Sequence, residues 1–182
     1  EDFKKLSSYA KKKKIIFFST PLDFKSAENL KKIQKLFKIS SGDNNYFDLV
    51  KLTCSYGKPV IVSTGLADLK LVKKIYKILK NSKKIEFSKK NFALLHCVSS
   101  YPVPSAQANL SSIGYMKKNF KNISIGYSDH TIGMTACFVA ASLGADIIEK
   151  HFTLDNNYSK FRDHKLSLNP QDFKEMVTKI RE

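Results

Sequence analysis

Short apolar runs alternate along this chain with amphipathic segments, and small or polar residues follow most of the runs. The runs predict six β-strands, at residues 15–18, 37–39, 60–62, 93–98, 123–127 and 146–150. Between them, apolar residues recur every three or four positions, which predicts helices over residues 26–36, 68–79, 131–143 and 170–180, with a further helix-like segment at 2–13. Strands that alternate with helices favour a parallel α/β sheet with right-handed crossovers.

The type of α/β fold is indicated by the residues that follow the strands. No glycine-rich phosphate loop follows any strand, which disfavours an open nucleotide-binding sheet. Polar residues instead follow nearly every strand, as at the carboxyl-terminal face of a (β/α)8 TIM barrel. Such a barrel usually needs about 250 residues. We therefore expect residues 1–182 to form a single incomplete barrel domain, about strands three to eight.

Composition narrows the classes of protein. Hydrophobic residues make up 42% of the chain, and no apolar run is long enough for a membrane helix, so we expect a globular, cytoplasmic protein that contacts no membrane and has no secretory leader. The net charge is +16, but 30 of the 32 basic residues are lysines, mostly on predicted helix faces and in turns. Nucleic-acid readers favour arginine, so we do not expect nucleic-acid binding. Cys54, Cys97 and Cys137 form no CxxC pair, which indicates buried free thiols.

Two histidines are candidate metal ligands. His130 and His151 each follow a predicted strand, one strand–helix unit apart. Neighbouring strands lie about 4.8 Å apart, so the two imidazoles could share one Mn²⁺, Fe²⁺ or Zn²⁺ ion with oxygen ligands. The alternative is that each is a hydrogen-bonding loop histidine. His96, inside an apolar strand, is expected to be a core histidine, and His164 falls in a predicted irregular loop.

Other polar residues at the strand ends suggest an anion site. Lys38 provides a fixed cation close to Ser41 and the backbone of Gly42, and Thr20 and the turn at residues 63–65 add donors. The alternative is that these hydroxyls cap helices. Asp163 could contact a polyol substrate or be an ordinary surface residue.

Several segments together resemble the sialic acid synthase family, the phosphoenolpyruvate-dependent nonulosonate synthases. The matching stretches occur in the family's order, and they are IIFFSTPLD, FKISSGDNN, GKPVIVSTGLA, ALLHCVSSYPVP, IGYSDHTIG, GADIIEKHFTLD and RDHKLSLNP. The pair YSDHT and EKHFTLD is the most specific.

The resemblance implies a TIM-barrel enzyme that condenses phosphoenolpyruvate with an N-acetylated sugar aldehyde such as N-acetylmannosamine, forming a nine-carbon 2-keto acid and phosphate. It also implies that His130 and His151 bind a divalent metal ion and form the catalytic centre. Mn²⁺ is the first candidate for this ion, and Mg²⁺ and Co²⁺ are the alternatives. Phosphoenolpyruvate would be bound by Lys38, Thr20, Ser41 and Ser128. Tyr101 and Asp163 match positions that contact the acceptor sugar. Asp43 lies where the family often has Glu, and Ser99 lies where some members have Asn.

The chain also departs from the family pattern. On this resemblance, we expect residues 1–182 to lack the family's first two strands and its C-terminal antifreeze-like domain, which completes a swapped homodimer in the family. The residues at 160–163 replace a Pro-Gly-Pro-Asp run, which leaves sialate, legionaminate and pseudaminate acceptors open. Two other functions stay open: a catalytically inactive fragment that binds phosphate ligands, and a basic nucleic-acid-binding module.

Overall fold

A computed structural model describes residues 2–182 and divides the chain into two compact units, one ending at Ala93 and the other beginning at Leu94. Helices and strands of the first unit are α1 Asp2–Lys12, α2 Phe24–Lys31, β1 Phe37–Ile39, α3 Phe47–Ser55, β2 Val60–Ser63 and α4 Leu69–Lys80. Those after them are β3 Phe92–Cys97, α5 Ser111–Asn119, β4 Ser124–Asp129, α6 Thr135–Ser142, β5 Ile147–Lys150, α7 Arg162–Leu166 and α8 Pro170–Arg181.

The strands keep their chain order in one sheet, β1-β2-β3-β4-β5. In the first unit β1 pairs in parallel with β2, and in the second β4 pairs in parallel with β5. All six residues of β3 and of β4 are buried, as expected for parallel strands with both faces covered. The predicted alternation of helices with a parallel sheet is confirmed. Within residues 2–182, no helix combines the length and apolar character that crossing a bilayer requires.

The predicted strand at residues 15–18 is wrong. These residues have no regular secondary structure, and Ile15 and Ile16 are exposed. A strand exists only where a neighbour supplies its hydrogen bonds, and no strand in the described part of the chain pairs with this run. An apolar run alone is therefore not enough to predict a strand.

The helix predictions are confirmed in place, with differences at their ends. Helix α4 begins after Asp68, whose carboxylate accepts a hydrogen bond from the backbone N–H of Leu71. Helix α8 begins at Pro170 after the cap Asn169. Helix α6 begins at Thr135, four residues later than predicted, because Gly133 adopts a left-handed backbone (φ +78°) that helix geometry excludes.

The second unit packs its last helices against β5. Cys137 of α6, Leu168 and Met176 of α8 form a buried apolar cluster, and Ile148 of β5 contacts it. All three cysteines are buried free thiols, as predicted. This packing fixes β5 from its outer side, and β5 leads directly into one of the candidate metal ligands.

A close approach between strands occurs at Gly126 of β4. A Cβ atom at this position would lie 2.5 Å from Leu95 Cδ2 and 2.6 Å from the carbonyl oxygen of Ile147. Real Cβ atoms do not approach other atoms this closely, so only glycine fits here. The missing side chain lets β4 and β5 lie in close contact.

Some lysines have structural partners as well as charge. The ammonium of Lys58 donates to the carbonyl oxygens of Lys31, the last residue of α2, and of Gln34. The ammonium of Lys117 donates to the carbonyl oxygen of Gly144, just after α6, and lies 3.7 Å from Asp146. These cations bind backbone carbonyls at or just beyond the C-terminal ends of α2 and α6, where cations are favoured.

Candidate metal and substrate site

The ends of β4 and β5 bring the two predicted metal ligands together. Asp129 and Lys150 are paired across the two strands, and His130 and His151 are the next residues. Their ring centroids are 5.4 Å apart, with the ring planes inclined by 70°. The predicted proximity of these histidines is therefore present in the structure, although their role as ligands stays a prediction.

His130 is buried, and its surroundings fix which ring nitrogen carries the proton. Its Nδ1 lies 2.7 Å from the carbonyl oxygen of Val98. A carbonyl oxygen only accepts hydrogen bonds, so we assign the proton to Nδ1. The lone pair of Nε2 is then available for a metal ion, which is how ligating histidines are usually oriented.

His151 is half-buried and faces both His130 and Asp163. Burial lowers the pKa of His151 below its ordinary value, and the neighbouring His130 lowers it further, whereas Asp163 opposes the change. Its Nδ1 lies 3.8 Å from Asp163 Oδ2, too far for a hydrogen bond. A lowered pKa keeps the ring neutral, which is the form that binds metals.

Tyr101 and Asp163 lie beside the histidine pair. The Tyr101 ring centroid is 4.2 Å from that of His130 and 5.8 Å from that of His151. The guanidinium of Arg162 lies 4.8 Å from the Tyr101 ring centroid, and its Nε is 3.5 Å from Asp163 Oδ1. That Oδ1 atom is buried and has no hydrogen-bond partner. The predicted acceptor contacts Tyr101 and Asp163 are thus brought together with both histidines.

Glu149 is a site residue that sequence reasoning missed. The hydroxyl of Ser128 donates a 2.8 Å hydrogen bond to Glu149 Oε1, and the two residues are paired between β4 and β5. Side chains two residues apart on a strand share a face, so Glu149 lies on the same face as His151. This alternation could have identified it from the sequence. Ser128, a predicted substrate ligand, is buried, and Glu149 is half-buried.

The residues present fit a divalent metal bound in part by solvent or substrate. In residues 2–182 no group of three or more His, Cys, Asp or Glu side chains is arranged to hold an ion. Among the described residues, the two imidazoles are the candidate ligands. Metal–nitrogen bonds are about 2.0–2.1 Å long for zinc, and rings 5.4 Å apart can reach one ion at such distances. A site with few protein ligands keeps positions open for a substrate oxygen.

The first unit contains the remaining predicted anion ligands. Lys38 lies on β1 opposite Ile61, and a short 3₁₀ turn, Ser41–Asp43, follows the strand. The hydroxyl of Ser41 accepts a 3.1 Å hydrogen bond from the N–H of Gly65, in the turn after β2. Asp43 accepts a 2.5 Å hydrogen bond from Ser40, so its carboxylate already has a donor.

Two further predicted residues have less defined surroundings. Thr20 is half-buried and lines a surface cavity together with Ser19 and Asp23. Ser99 is half-buried in the irregular segment after β3.

His96, by contrast, is the expected core histidine: it is buried, and its Nε2 lies 2.9 Å from the carbonyl oxygen of Ala108. His164 lies in α7 rather than in an irregular loop, which corrects that prediction.

Ser63 belongs to the turn at residues 63–65 that the sequence predicts to add donors to the anion site. Its hydroxyl is buried and has no hydrogen-bond partner. The side-chain amide of Asn44 donates to the carbonyl oxygens of Ser63 (3.2 Å) and Gly65 (2.9 Å), which fixes the turn after β2. An unpaired buried hydroxyl in a fixed turn is costly unless a ligand pairs with it.

Comparison with known proteins places the chain in a family. It belongs to the NeuB family, whose model matches residues 1–182. An uncharacterised protein of Methanocaldococcus jannaschii is 47% identical over 182 residues, covering 100% of this chain and 52% of the relative. The N,N'-diacetyllegionaminic acid synthase of Campylobacter jejuni is 42% identical over 181 residues, covering 98% of this chain and 52% of that enzyme. The chain thus spans about half the length of the curated relatives it matches.

Solved structures confirm the barrel-type fold. The N-acetylneuraminic acid synthetase of Leptospira borgpetersenii superposes with a TM-score of 0.91 at 36% identity, covering 98% of this chain and 60% of that one. A DAHP synthase of Thermotoga maritima superposes with a TM-score of 0.78 at 16% identity, over 98% of this chain and 54% of that one, and shows the fold alone. The prediction of a TIM-barrel α/β fold and of the sialic acid synthase family is confirmed.

Proposed function

We propose that the protein containing this chain condenses phosphoenolpyruvate with an N-acetylated amino-sugar aldehyde. The observation that carries the proposal is the pair His130 and His151, whose ring centroids are 5.4 Å apart, with the Nδ1 of His130 bonded to the carbonyl oxygen of Val98. Membership of the NeuB family and the synthases named among its relatives support the same chemistry. The product would be a nine-carbon 2-keto sugar acid.

The reaction balances with water as the third reactant. Carbon 3 of phosphoenolpyruvate attacks the aldehyde carbon and forms the new C–C bond. Water adds to the resulting cationic C2 centre. The bond between C2 and the phosphate ester oxygen then breaks, which releases inorganic phosphate and leaves the 2-keto group. The former aldehyde oxygen takes up a proton and becomes a hydroxyl. A divalent ion, with Mn²⁺ our first candidate, supplies Lewis-acid polarisation of a carbonyl oxygen when bound.

The residues of the second unit would bind the metal and the acceptor sugar. His130 and His151 would hold the ion through neutral imidazole nitrogens. The Oδ1 atom of Asp163 is buried and has no hydrogen-bond donor among the described residues. It would accept a hydrogen bond from a hydroxyl of the acceptor sugar. Tyr101 would pack against the sugar from its position beside both histidine rings. The Ser128 hydroxyl, which donates to Glu149 in the free protein, would turn this single donor to a substrate anion.

Residues of the first unit would bind the anionic groups of phosphoenolpyruvate. Lys38 would pair with a negative charge, and Thr20 and Ser41 would donate hydrogen bonds. The unpaired hydroxyl of Ser63 is a further candidate donor. Preorganised donors of this kind stabilise developing charge without reorganising during the reaction.

The test uses protein expressed from the complete open reading frame. Mn²⁺ binding is measured by electron paramagnetic resonance of the free ion, and turnover by phosphate release in the presence of phosphoenolpyruvate and an acceptor panel of sialate, legionaminate and pseudaminate type. We expect His130→Ala and His151→Ala to lose Mn²⁺ binding and turnover. The control His96→Gln changes a buried histidine outside the site and should keep both.

Two results would contradict the proposal. Unchanged Mn²⁺ affinity in both alanine variants would exclude the histidine pair as the metal site. Binding of phosphoenolpyruvate without phosphate release in the presence of any acceptor sugar would instead favour a ligand-binding protein without catalytic activity.

A further inference from the structure

A buried ion pair links the ends of β4 and β5 on the face opposite the histidines. Lys150 Nζ lies 2.7 Å from Asp129 Oδ2, and neither side chain has any exposed surface. Side chains alternate between the two faces of a strand. Asp129 and Lys150 therefore point away from the face that carries His130 and His151.

The carboxylate of Asp129 is fully occupied. Its Oδ1 accepts hydrogen bonds from the Tyr127 hydroxyl (2.9 Å) and from the Thr131 N–H (2.8 Å). Its Oδ2 accepts from Lys150 and from the thiol of Cys137 at 3.3 Å. Such a fully satisfied buried network holds its members in one arrangement.

The network is attached to the backbone on both sides of His130. The carboxylate belongs to the residue before this histidine and binds the N–H of Thr131, the residue after it. The ammonium of Lys150 also donates to the carbonyl oxygen of Thr131 at 2.5 Å. Lys150 itself immediately precedes His151, so a single ion pair is coupled to the backbone of both histidines.

The strand pairing ends where this ion pair lies. Asp129 and Lys150 are the last paired residues of β4 and β5, and both histidines lie one residue beyond them. The ring of His130 has its own anchor at Val98, whereas the Nδ1 of His151 lies 3.8 Å from Asp163, too far for a hydrogen bond. The backbone carbonyls of His130 and His151 also accept from the N–H groups of Val103 and Leu168, both at 2.9 Å. The ion pair adds a direct side-chain link between the two strand ends, so the spacing of the rings depends in part on it.

We propose that Asp129 and Lys150 are positioning residues that set the separation and orientation of His130 and His151, and thereby the affinity for a divalent ion. The inference rests on the proposed function in taking these histidines as the metal ligands. Removing both charges avoids leaving an unpaired buried charge, which is the largest cost of breaking such a pair. Metal affinity and the free energy of unfolding are measured separately, so a loss of affinity can be compared with the loss of stability.

The experiment compares Lys150→Met, which keeps an unbranched chain without charge, with the double variant Asp129→Leu/Lys150→Met. The single variant leaves a buried carboxylate without its cation, so we expect it to unfold more easily. The double variant removes both charges and tests positioning even where the single variant does not fold. Thr53→Val, which removes a buried hydroxyl within α3, is the control for a polar change elsewhere in the core. All are made in protein from the complete open reading frame.

Electron paramagnetic resonance of free Mn²⁺ gives the dissociation constant, and urea unfolding gives the stability. Loss of a group bonded directly to a ligating histidine commonly weakens metal binding by about 10–100-fold. Asp129 and Lys150 act through the backbone, so we expect the dissociation constant of the double variant to rise by about tenfold, the lower end of this range. Its stability should fall, because the Tyr127 hydroxyl and the Thr131 N–H lose their acceptor, so the affinity is compared without urea, where the variant is folded. Thr53→Val, which also removes a buried hydrogen bond, should keep the wild-type affinity. Wild-type affinity in the double variant would overturn the proposal.

A second readout on the metal-free protein separates this proposal from the proposed function. The ¹⁵N chemical shifts of the imidazoles report the hydrogen bond from His130 to Val98 and the surroundings of His151. We expect both to change in the double variant and not in Thr53→Val. If the wild type binds no Mn²⁺, the proposed function fails and these shifts alone decide: unchanged shifts would overturn the positioning role.

Discussion

Replacement of Gly126 by alanine tests the close contact between β4 and β5. The added Cβ would meet Leu95 Cδ2 at 2.5 Å, the carbonyl oxygen of Ile147 at 2.6 Å and Ile147 Cβ at 2.8 Å. A rotation of the leucine side chain could relieve the first contact. The carbonyl oxygen belongs to the neighbouring strand, so β4 and β5 must separate by roughly 0.8 Å to restore ordinary contact.

Two opposing effects set the size of the change. Overpacking of a filled core costs about 1–3 kcal/mol, whereas replacing glycine by alanine in a strand gains about 0.5–1 kcal/mol. Because backbone atoms cause the clash, the cost should exceed the gain. We expect Gly126→Ala to lower the free energy of unfolding by about 1–2 kcal/mol.

The assay is urea unfolding followed by circular dichroism, with Gly114→Ala as the control. Gly114 lies in α5, where an added Cβ meets no atom within 4 Å. This control should gain up to about 1 kcal/mol of stability. If Gly126→Ala were as stable as the wild type, the strands could not be as closely packed as described.

Two further predictions concern stability. Burial lowers the pKa of His96 below its ordinary 6.5. The unfolded chain therefore takes up a proton at a higher pH than the folded protein, and the free energy of unfolding falls as the pH drops below about 6.5. His96→Gln should flatten the dependence of this free energy, measured by urea unfolding, between about pH 7 and pH 5, and equal slopes for the variant and the wild type would contradict this. Asn169 caps α8 by accepting from the N–H of Asp172 at 3.0 Å, so Asn169→Ala should cost about 1 kcal/mol in thermal or urea unfolding. The exposed Asn157→Ala is its control, and an equal effect of both would exclude the cap.

The sequence predicts the parts of the fold that depend on local pattern. Alternating apolar runs and helical repeats located most strands and the helices α4 and α8, and strand-end reasoning located His130 and His151 as neighbours. The run at residues 15–18 failed as a strand because strand formation depends on a partner elsewhere in the chain. The start of α6 was misplaced because the left-handed backbone of Gly133 depends on its tertiary surroundings.

The candidate site shows the same division. Its strand-end histidines follow from the order of elements, whereas the contacts between side chains depend on strand register. Glu149 could have been identified by its two-residue spacing from His151. The ion pair of Asp129 with Lys150 could not, because only the observed register places these residues opposite each other.

The lysines that bind helix-end carbonyls bear on how this protein responds to amine-modifying reagents. Lys58 and Lys117 each donate to backbone oxygens at or just beyond the C-terminal ends of α2 and α6. Acetylation would convert such an ammonium into a neutral amide with fewer donors. Reductive methylation, often used to aid crystallisation, would also crowd these contacts. Reagents that neutralise the many surface amines would therefore weaken the ends of α2 and α6 as well as reduce the net charge, and mild labelling should leave Lys58 and Lys117 among the slowest sites to react.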